Sequence, residues 1–206
     1  MIAIIDYDAG NLRSVARAFE HLGIACRITA EGSEILAADR VVFPGVGAAG
    51  AAMKILRERG LDSVIHDVVA DKKPFLGICL GAQIMLDCSE EDDDTDCLGV
   101  IPGEVRRFPA LGEGFKVPHM GWNSFTACRS HPLLEGIGGD DQFYFVHSYY
   151  LHTFDPHDGI ALTEYGFPFV SVMARDTLFA VQFHPEKSGP SGLRILKNFA
   201  AWKGDL

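Results

Sequence analysis

Short β-branched apolar runs alternate with amphipathic stretches through the first part of the chain, and this alternation limits the fold more than any other feature. Each run has the length and composition of a buried strand. Parallel strands need a crossover, usually a helix, so strands that alternate with helices form a largely parallel sheet with helices on both faces. The predicted strands in this part of the chain are Ile2–Ile5, Ile24–Thr29, Arg40–Phe43 and Pro74–Ile78.

The pattern changes after Cys88, where short alternating runs follow one another without long helices between them. Such runs are typical of hairpins that extend a sheet with antiparallel strands. They are Val105–Phe108, Gln142–Val146, Ile160–Glu164, Phe169–Ala174 and Leu178–Phe183. A helix from about Ser191 ends the chain, and no repeat or long linker divides it. We predict a single domain over residues 1–206, of the α/β class, with a mostly parallel open sheet flanked by helices and an added antiparallel portion.

The balance of charges and the cysteines exclude several classes of protein. The chain has 18 Lys and Arg against 28 Asp and Glu, a formal charge of −10 that a nucleic-acid backbone would repel. Its five cysteines form no CxxC motif, so we expect free thiols in a reducing compartment. The N-terminal apolar run is too short for a signal peptide or a membrane span. We expect a cytoplasmic protein that binds neither nucleic acid nor membrane.

A cysteine stands between two glycines where a predicted strand gives way to a helix, in Gly77-Ile78-Cys79-Leu80-Gly81. A nucleophile elbow needs this arrangement, because the sharp turn lifts the central side chain clear of the sheet and only small neighbours fit around it. The helix N-terminus behind Cys79 favours the thiolate, which is the nucleophilic form. Most free cysteines are buried and inert, and that interpretation suits the other four. Cys79 is the candidate nucleophile.

A histidine and a glutamate follow the last predicted strand in Phe183-His184-Pro185-Glu186. A thiol nucleophile needs a base, and the base needs a group that orients it. At the carboxyl end of a strand, His184 lies on the same sheet edge as an elbow, and Glu186 has the reach to accept the imidazole N–H. His147, His152 and His157 recur every five residues, a spacing that suits no shared metal site. We expect neither a metal nor an organic cofactor.

The loop Pro44-Gly45-Val46-Gly47 ends a neighbouring strand and can present bare backbone N–H groups. Together with the N–H of Leu80, directly after the nucleophile, a donor at Val46 or Gly47 would hold a tetrahedral oxyanion. The glycines also allow a peptide flip that supplies or withdraws this donor.

The motif GICLGAQ at Gly77–Gln83, together with FHPEKS at Phe183–Ser188, resembles the class I (triad) glutamine amidotransferases, whose fold is flavodoxin-like. Further strings are similar to the glutaminase subunits of imidazole glycerol phosphate synthase, from histidine biosynthesis, across nearly the whole chain. They are DYDAGNLRS at Asp6–Ser14, PGVGA at Pro44–Ala48, KVPHMGWN at Lys116–Asn123 and YFVHSYY at Tyr144–Tyr150.

The resemblance implies a role for each matching residue. Cys79, His184 and Glu186 would form the triad that hydrolyses L-glutamine to glutamate and ammonia. The positions that would hold glutamine are Gly47, Gln83, His147, Ser148 and Tyr149. The resemblance also implies a heterodimer with a (β/α)₈-barrel cyclase, which receives the ammonia and makes imidazole glycerol phosphate and AICAR. The residues at or near that interface would be Asn11, Trp122, Asn123, Tyr144 and Lys187.

Three other interpretations remain open at this stage. The chain could be the glutaminase subunit of another synthase, such as the one for pyridoxal phosphate, or a γ-glutamyl peptidase, with the same chemistry at Cys79. It could also be a non-catalytic regulatory subunit that retains the elbow, although such proteins usually lose the nucleophile or the base. The acidic run Ser89–Asp96 is interpreted as a solvated loop without a catalytic role.

Overall fold

Helices and strands follow one another along residues 1–8, 10–92 and 94–205, the part of the chain that this computed structural model describes. The helices are α1 (Leu12–His21), α2 (Gly32–Ala37), α3 (Ala49–Arg59), α4 (Leu61–Ala70), α5 (Leu80–Gln83) and α6 (Gly189–Ala201). The first seven strands are β1 (Ile2–Ile5), β2 (Cys26–Thr29), β3 (Arg40–Gly45), β4 (Phe75–Cys79), β5 (Cys88–Ser89), β6 (Thr95–Asp96) and β7 (Gly103–Arg107). The others are β8 (His119–Asn123), β9 (Thr126–Ala127), β10 (Phe143–His147), β11 (Tyr149–Thr153), β12 (Gly159–Glu164), β13 (Pro168–Arg175) and β14 (Leu178–Val181).

The main sheet begins with five parallel strands in the order β2-β1-β3-β4-β14. The sequence pattern groups Leu178–Phe183 with the antiparallel hairpin strands, whereas β14 is parallel to β4 and antiparallel only to β13. Antiparallel strands continue it through β13, β11 and β7, with β12 paired to β13. The predicted fold class, a mostly parallel open sheet flanked by helices with an added antiparallel portion, is confirmed. Each of the four early predicted strands lies within two residues of an observed one at either end.

One predicted strand belongs elsewhere. The alternation in Gln142–Val146 predicts an extension of the main sheet, but β10 pairs with β8 in a separate two-stranded antiparallel sheet. Alternation of polar and apolar residues predicts a strand but does not indicate which other strand it pairs with. The partner, β8, has the sequence HMGWN, whose central glycine and polar ends give no strand signal.

Helix α2 and strand β11 are among the elements that were not predicted, because their sequences carry almost no hydrophobic pattern. Helix α2 buries only Ile35, and β11 buries only Leu151. A single buried residue defines no period of 3.6 or 2, so neither element has a pattern to detect.

The parallel strands are buried on both faces, which explains their continuous apolar sequences. Successive residues of β1 point to opposite sides, with Ile4 packing in the cluster under α1 and α6 and Ile5 in the cluster under α2, α3 and α4. The sheet thus separates two hydrophobic cores, one on each face. None of the helices described is both long and apolar enough to cross a bilayer.

The carboxyl ends of the parallel strands meet at one edge of the sheet. In the pairing of β3 with β4, Gly45 lies opposite Cys79, and in the pairing of β14 with β4, Val181 lies opposite Ile78. The segments that follow β1, β3, β4 and β14 therefore converge on Cys79. Open α/β sheets bind ligands in the crevice at such an edge.

Candidate active site

Cys79 occupies the strained turn that the sequence predicts. Its backbone has φ 55° and ψ −112°, which non-glycine residues rarely adopt, at the junction of β4 and α5. Its side chain is 7% exposed, in a cavity wall. Helix α5 is a single turn of four residues, so its dipole contributes less to a thiolate than the sequence suggested.

The glycines on either side of Cys79 leave room for close backbone packing. A Cβ atom on Gly81 would lie 1.9 Å from the carbonyl oxygen of Phe43 in β3. A Cβ atom on Gly77 would lie 2.9 Å from the carbonyl oxygen of Gly81. The elbow can therefore sit directly against its neighbouring strand only because both residues lack a side chain.

His184 and Glu186 form a buried pair beyond the end of β14. The imidazole Nδ1 lies 2.8 Å from Glu186 Oε1, and the two side chains are 1% and 0% exposed. The side-chain amide of Asn11 also donates a hydrogen bond to Glu186 Oε1. Two further hydrogen bonds fix this segment. The His184 N–H donates to the Tyr144 carbonyl oxygen, and the Ser188 hydroxyl group donates to the His184 carbonyl oxygen. The carboxylate thereby orients the imidazole so that Nε2 is its free nitrogen.

The charge environment of His184 favours its protonated form. Burial lowers the pKa of this imidazole, but the nearby Cys79 sulfur and the Glu186 carboxylate outweigh burial and raise the pKa from 6.5 to about 10. The Cys79 sulfur raises this pKa by lying close to the imidazole and not by accepting a hydrogen bond, because Nε2 is buried and makes no aligned hydrogen bond to any described residue. An imidazolium at His184 is therefore the expected resting state of this side chain.

One cavity of about 430 Å³ brings together the predicted nucleophile, base, oxyanion loop and substrate positions. The predicted residues that line it are Val46, Gly47, Cys79, Leu80, Gln83, His147, Ser148, Tyr149 and His184. Gly47 has φ 101°, a left-handed conformation that glycine adopts without strain. Residues far apart in sequence thus face the same space, which is large enough for an amino acid.

His147 is the buried wall of this cavity and is neutral. Burial lowers its pKa from 6.5 to about 3. Its Nδ1 lies 2.7 Å from the carbonyl oxygen of Tyr149 and so must carry the proton. Its Nε2 then accepts a hydrogen bond from Nδ1 of His119, 3.0 Å away, a residue that the motif KVPHMGWN supplies.

The acidic run Ser89–Asp96 is not simply the solvated loop that the sequence predicts, because Glu91 within it reaches the site. Glu91 lines the cavity, and its Oε2 accepts a 2.8 Å hydrogen bond from the N–H of Ala49 at the start of α3. Burial raises the pKa of the Glu91 carboxyl. Asp93, within the same run, lies outside the described residues. A run of carboxylates predicts a solvated loop, and only the fold shows that one of them turns inward.

The sequence profile of the family described as glutamine amidotransferase class-I matches residues 3–202. The chain belongs to the class I glutamine amidotransferase family. The resemblance in the motifs is thereby confirmed, and the chain is an enzyme of the glutamine amidotransferase type.

Several curated relatives of this amidotransferase carry the name imidazole glycerol phosphate synthase subunit HisH. The one from Methylococcus capsulatus is 51% identical, with 98% of this chain and 96% of that protein covered. The one from Desulfovibrio desulfuricans is 52% identical, with 97% and 93% covered. HisH 1 of Pseudomonas aeruginosa is 47% identical, with 98% and 97% covered.

Solved structures of more distant proteins share the fold. A crystal structure described as a glutamine amidotransferase superposes with a TM-score of 0.74 at 19% identity over 100% of both chains. The structure of PurLQS from Thermotoga maritima also gives 0.74, at 14% identity, with 97% of this chain and 97% of that one covered.

Three of the residues predicted at the partner interface share one surface of the amidotransferase. The Trp122 ring is 55% exposed and packs edge-on against Tyr144, with 6.1 Å between ring centroids. The ammonium of Lys187 lies 5.8 Å from the centre of the Tyr144 ring. Met120, two residues before Trp122 on β8, is 60% exposed. We call Met120, Trp122, Tyr144 and Lys187 the aromatic patch.

The other two predicted interface residues are half-buried, and their side chains form hydrogen bonds within the chain. Asn11 donates its hydrogen bond to Glu186. Asn123 Nδ2 donates to the carbonyl oxygen of Glu164 at 3.0 Å and lies 3.3 Å from His119 Nε2. Asn11 thus holds Glu186, and Asn123 holds His119, which in turn contacts His147. The sequence alone does not indicate these supporting roles.

Sequence reasoning missed several residues around the site. Tyr7, 2% exposed, places its hydroxyl group against Gly45, and burial raises its pKa far above the usual range. Gln182 is fully buried beside Cys79. A tyrosine after a strand and a glutamine before FHPE carry no signal of their own. Among the described residues, no three His, Cys, Asp or Glu side chains are grouped to hold a metal ion.

Proposed function

We propose that the chain is the glutaminase subunit of imidazole glycerol phosphate synthase, hydrolysing L-glutamine and passing the ammonia to a cyclase subunit. The observation that carries this proposal is the oriented imidazole of His184, which shares one cavity with Cys79 and the loop at Val46–Gly47. The likeness to proteins named HisH over almost their full length supports the choice of synthase. The free thiols support a reducing cytoplasm as its location.

The first half of the reaction forms a thioester. The Cys79 thiolate attacks the carboxamide carbon of glutamine, and the carbonyl oxygen becomes an oxyanion. Leu80, the first residue of α5, offers an N–H without an intrahelical acceptor, and the Val46–Gly47 loop offers the second donor. As the C–N bond breaks, the His184 imidazolium gives its Nε2 proton to the departing nitrogen, which leaves as ammonia.

The second half releases glutamate. Neutral His184 now takes a proton from water, whose oxygen attacks the thioester carbonyl. The C–S bond breaks, the thiolate is restored, and the imidazole keeps the proton for the next cycle. Glu186 keeps Nδ1 protonated throughout, so that Nε2 is always the nitrogen that exchanges the proton.

The remaining walls of the cavity suit the amino-acid end of glutamine. The carboxylate of Glu91 supplies negative charge for the α-ammonium group. The Ser148 and Tyr149 segment of the cavity offers backbone and side-chain hydrogen bonds. Gln83, whose amide nitrogen is engaged within the protein, retains its carbonyl oxygen as an acceptor. We propose that these residues, with Gly47 and His147, hold the substrate.

Reconstitution with the cyclase separates this proposal from its rivals. We expect the purified chain to hydrolyse glutamine slowly, and the cyclase with its ligand bound to raise the rate at least ~10²-fold, because the oxyanion donor must be aligned. Glutaminase activity and imidazole glycerol phosphate would be measured together. A γ-glutamyl peptidase would instead cleave γ-glutamyl peptides without a partner, and high activity that the cyclase leaves unchanged would contradict the proposal.

The aromatic patch is our candidate for the cyclase interface. Large aromatic and arginine or lysine side chains that are exposed together are typical of binding surfaces, and buried tryptophans often dominate their energy. The patch adjoins the active site, because the Tyr144 main chain bonds to that of His184. It therefore suits a partner that must receive ammonia directly from the cavity.

Replacing Trp122 by alanine is expected to weaken cyclase binding by about 2 kcal/mol or more, a loss of roughly thirtyfold, with unchanged thermal stability. Phe154, which is 57% exposed outside the patch, provides the matched control. Calorimetric titration with the cyclase measures the affinity of each variant, and thermal unfolding measures its stability. Equal affinities for the two variants would remove the patch from the interface.

A further inference from the structure

Two buried glutamines connect the catalytic sulfur to the glutamine-binding segment. Gln83 Nε2 lies 3.1 Å from the Tyr149 carbonyl oxygen and 3.1 Å from Gln182 Oε1. Gln182 Nε2 lies 3.9 Å from Cys79 Sγ, within the range of a hydrogen bond to sulfur. The two side chains, on residues 5% and 0% exposed, form a bridge without solvent between them. We call Gln83 and Gln182 the amide bridge.

The orientation of each amide follows from the backbone carbonyl at one end. A carbonyl oxygen accepts only from a donor, so the Gln83 atom that faces Tyr149 must be the nitrogen. That nitrogen also faces Gln182, so the Gln182 atom there must be the oxygen. The remaining atom of the Gln182 amide, which faces the sulfur, is therefore an N–H donor.

We propose that Gln182 is an additional catalytic residue, whose side-chain N–H donates to the Cys79 thiolate and thereby stabilises the nucleophilic form. This inference rests on the proposed function, in which Cys79 is the nucleophile. Gln83 holds the donor in place, because its amide nitrogen donates both to the Tyr149 carbonyl oxygen and to Gln182 Oε1. The bridge thus ties the attacking atom to the strand that lines the substrate cavity.

A donor at this position favours the anion over the thiol. A thiol accepts hydrogen bonds weakly, whereas a thiolate accepts them strongly, so the donor lowers the energy of the charged form. Burial of the Gln182 amide strengthens the effect, because water does not compete for this donor. The ionisable groups around Cys79 lie on several elements. They are His184 after β14 with its partner Glu186, Tyr7 after β1, and His147, Tyr149 and Glu91 in the walls of the same cavity. Gln182 is uncharged, so its replacement leaves their charges in place.

The test uses the full-length chain, free and in complex with the cyclase. Gln182→Met keeps the length of the side chain and removes the donor. We expect the midpoint of Cys79 alkylation by iodoacetamide to rise by about one pH unit, a roughly tenfold slower reaction near neutral pH. The two curves should converge at high pH. The alkylated Cys79 peptide is quantified by mass spectrometry, since four other thiols are present.

Glutaminase kinetics in the complex give a second readout. Gln182→Met is expected to lower kcat about tenfold near neutral pH and to leave KM almost unchanged, because the donor acts on the nucleophile. Gln142→Met makes the same substitution at an exposed glutamine outside the site and should match the parent in both assays. A folded Gln182→Met variant with the parent's alkylation profile and kcat would overturn the proposal.

A measurement on the unaltered chain covers the case in which the variant does not fold. The sequence has three glutamines, so side-chain amide signals in a ¹⁵N-glutamine-labelled sample are few. One amide pair should shift with the same pH midpoint as Cys79 alkylation, and the shift should vanish in Cys79→Ser. No shift with that midpoint would refute the donor. Glutaminase activity that survives Cys79→Ser would instead refute the proposed function, whatever Gln182 does.

Discussion

Replacing Cys79 by serine is expected to abolish glutamine-dependent synthesis of imidazole glycerol phosphate in the complex, by ~10³-fold or more. A serine hydroxyl is a much weaker nucleophile than a thiolate unless a site is built to activate it, and one member of a triad cannot be lost at low cost. Synthesis from ammonium salt should persist, because the cyclase step needs only ammonia. The measurement is product formation with glutamine or with ammonium salt as the nitrogen donor.

The two nitrogen sources separate the outcomes of this experiment. If both activities survive, Cys79 is not the nucleophile. If both fail while the complex still forms, Cys79 is required for the partner's activity as well, which would contradict separate roles for the two subunits. Cys128→Ser is the matched control, since Cys128 is an exposed free thiol outside the cavity, and should behave like the parent.

Replacing Gly81 by alanine is expected to destabilise the fold by about 3 kcal/mol or more and to lower glutaminase activity ~10²-fold or further in whatever folds. The added methyl group would lie 1.9 Å from the Phe43 carbonyl oxygen, and that atom belongs to the rigid backbone of β3. The elbow must move away from the strand that carries the oxyanion loop. Urea unfolding and glutaminase assays in the complex measure the two effects.

Gly112 offers the control for this substitution. Its added Cβ would meet nothing within 4 Å, and its backbone does not have a positive φ. Gly112→Ala is expected to lie within about 0.5 kcal/mol of the parent. A Gly81→Ala variant as stable and active as Gly112→Ala would show that the elbow does not depend on close packing against β3.

The parallel half of the fold and the triad candidates could be predicted because their signals are local. β1, β3, β4 and β14 are buried on both faces, so their sequences are continuously apolar and stand out from the helices between them. The glycines around Cys79 mark a turn that only small residues permit. Since ligands bind at the carboxyl ends of strands in open α/β sheets, His184 could be predicted beside Cys79, although only the structure shows that β14 is parallel to β4.

The interior-facing polar residues could not be predicted in the same way. Asn11, Asn123 and Gln182 are ordinary polar side chains in sequence, and their roles depend on partners far along the chain. Similarly, β8 and β10 form their own sheet because of a pairing that no local pattern specifies. Glu91 turns toward the cavity because its carboxylate meets the N–H of Ala49, forty-two residues away in sequence.

The sequence by itself therefore determined the α/β architecture, the elbow, and the order of nucleophile, base and orienting carboxylate, because periodicity and backbone strain act over a few residues. Only the tertiary structure decided which nitrogen of His184 is free, which way the amide of Gln182 points, and which exposed rings form one surface. All three depend on how close residues from distant parts of the sequence come to one another. Hydrogen bonds and charge interactions depend on those distances and on burial, which the sequence alone does not specify.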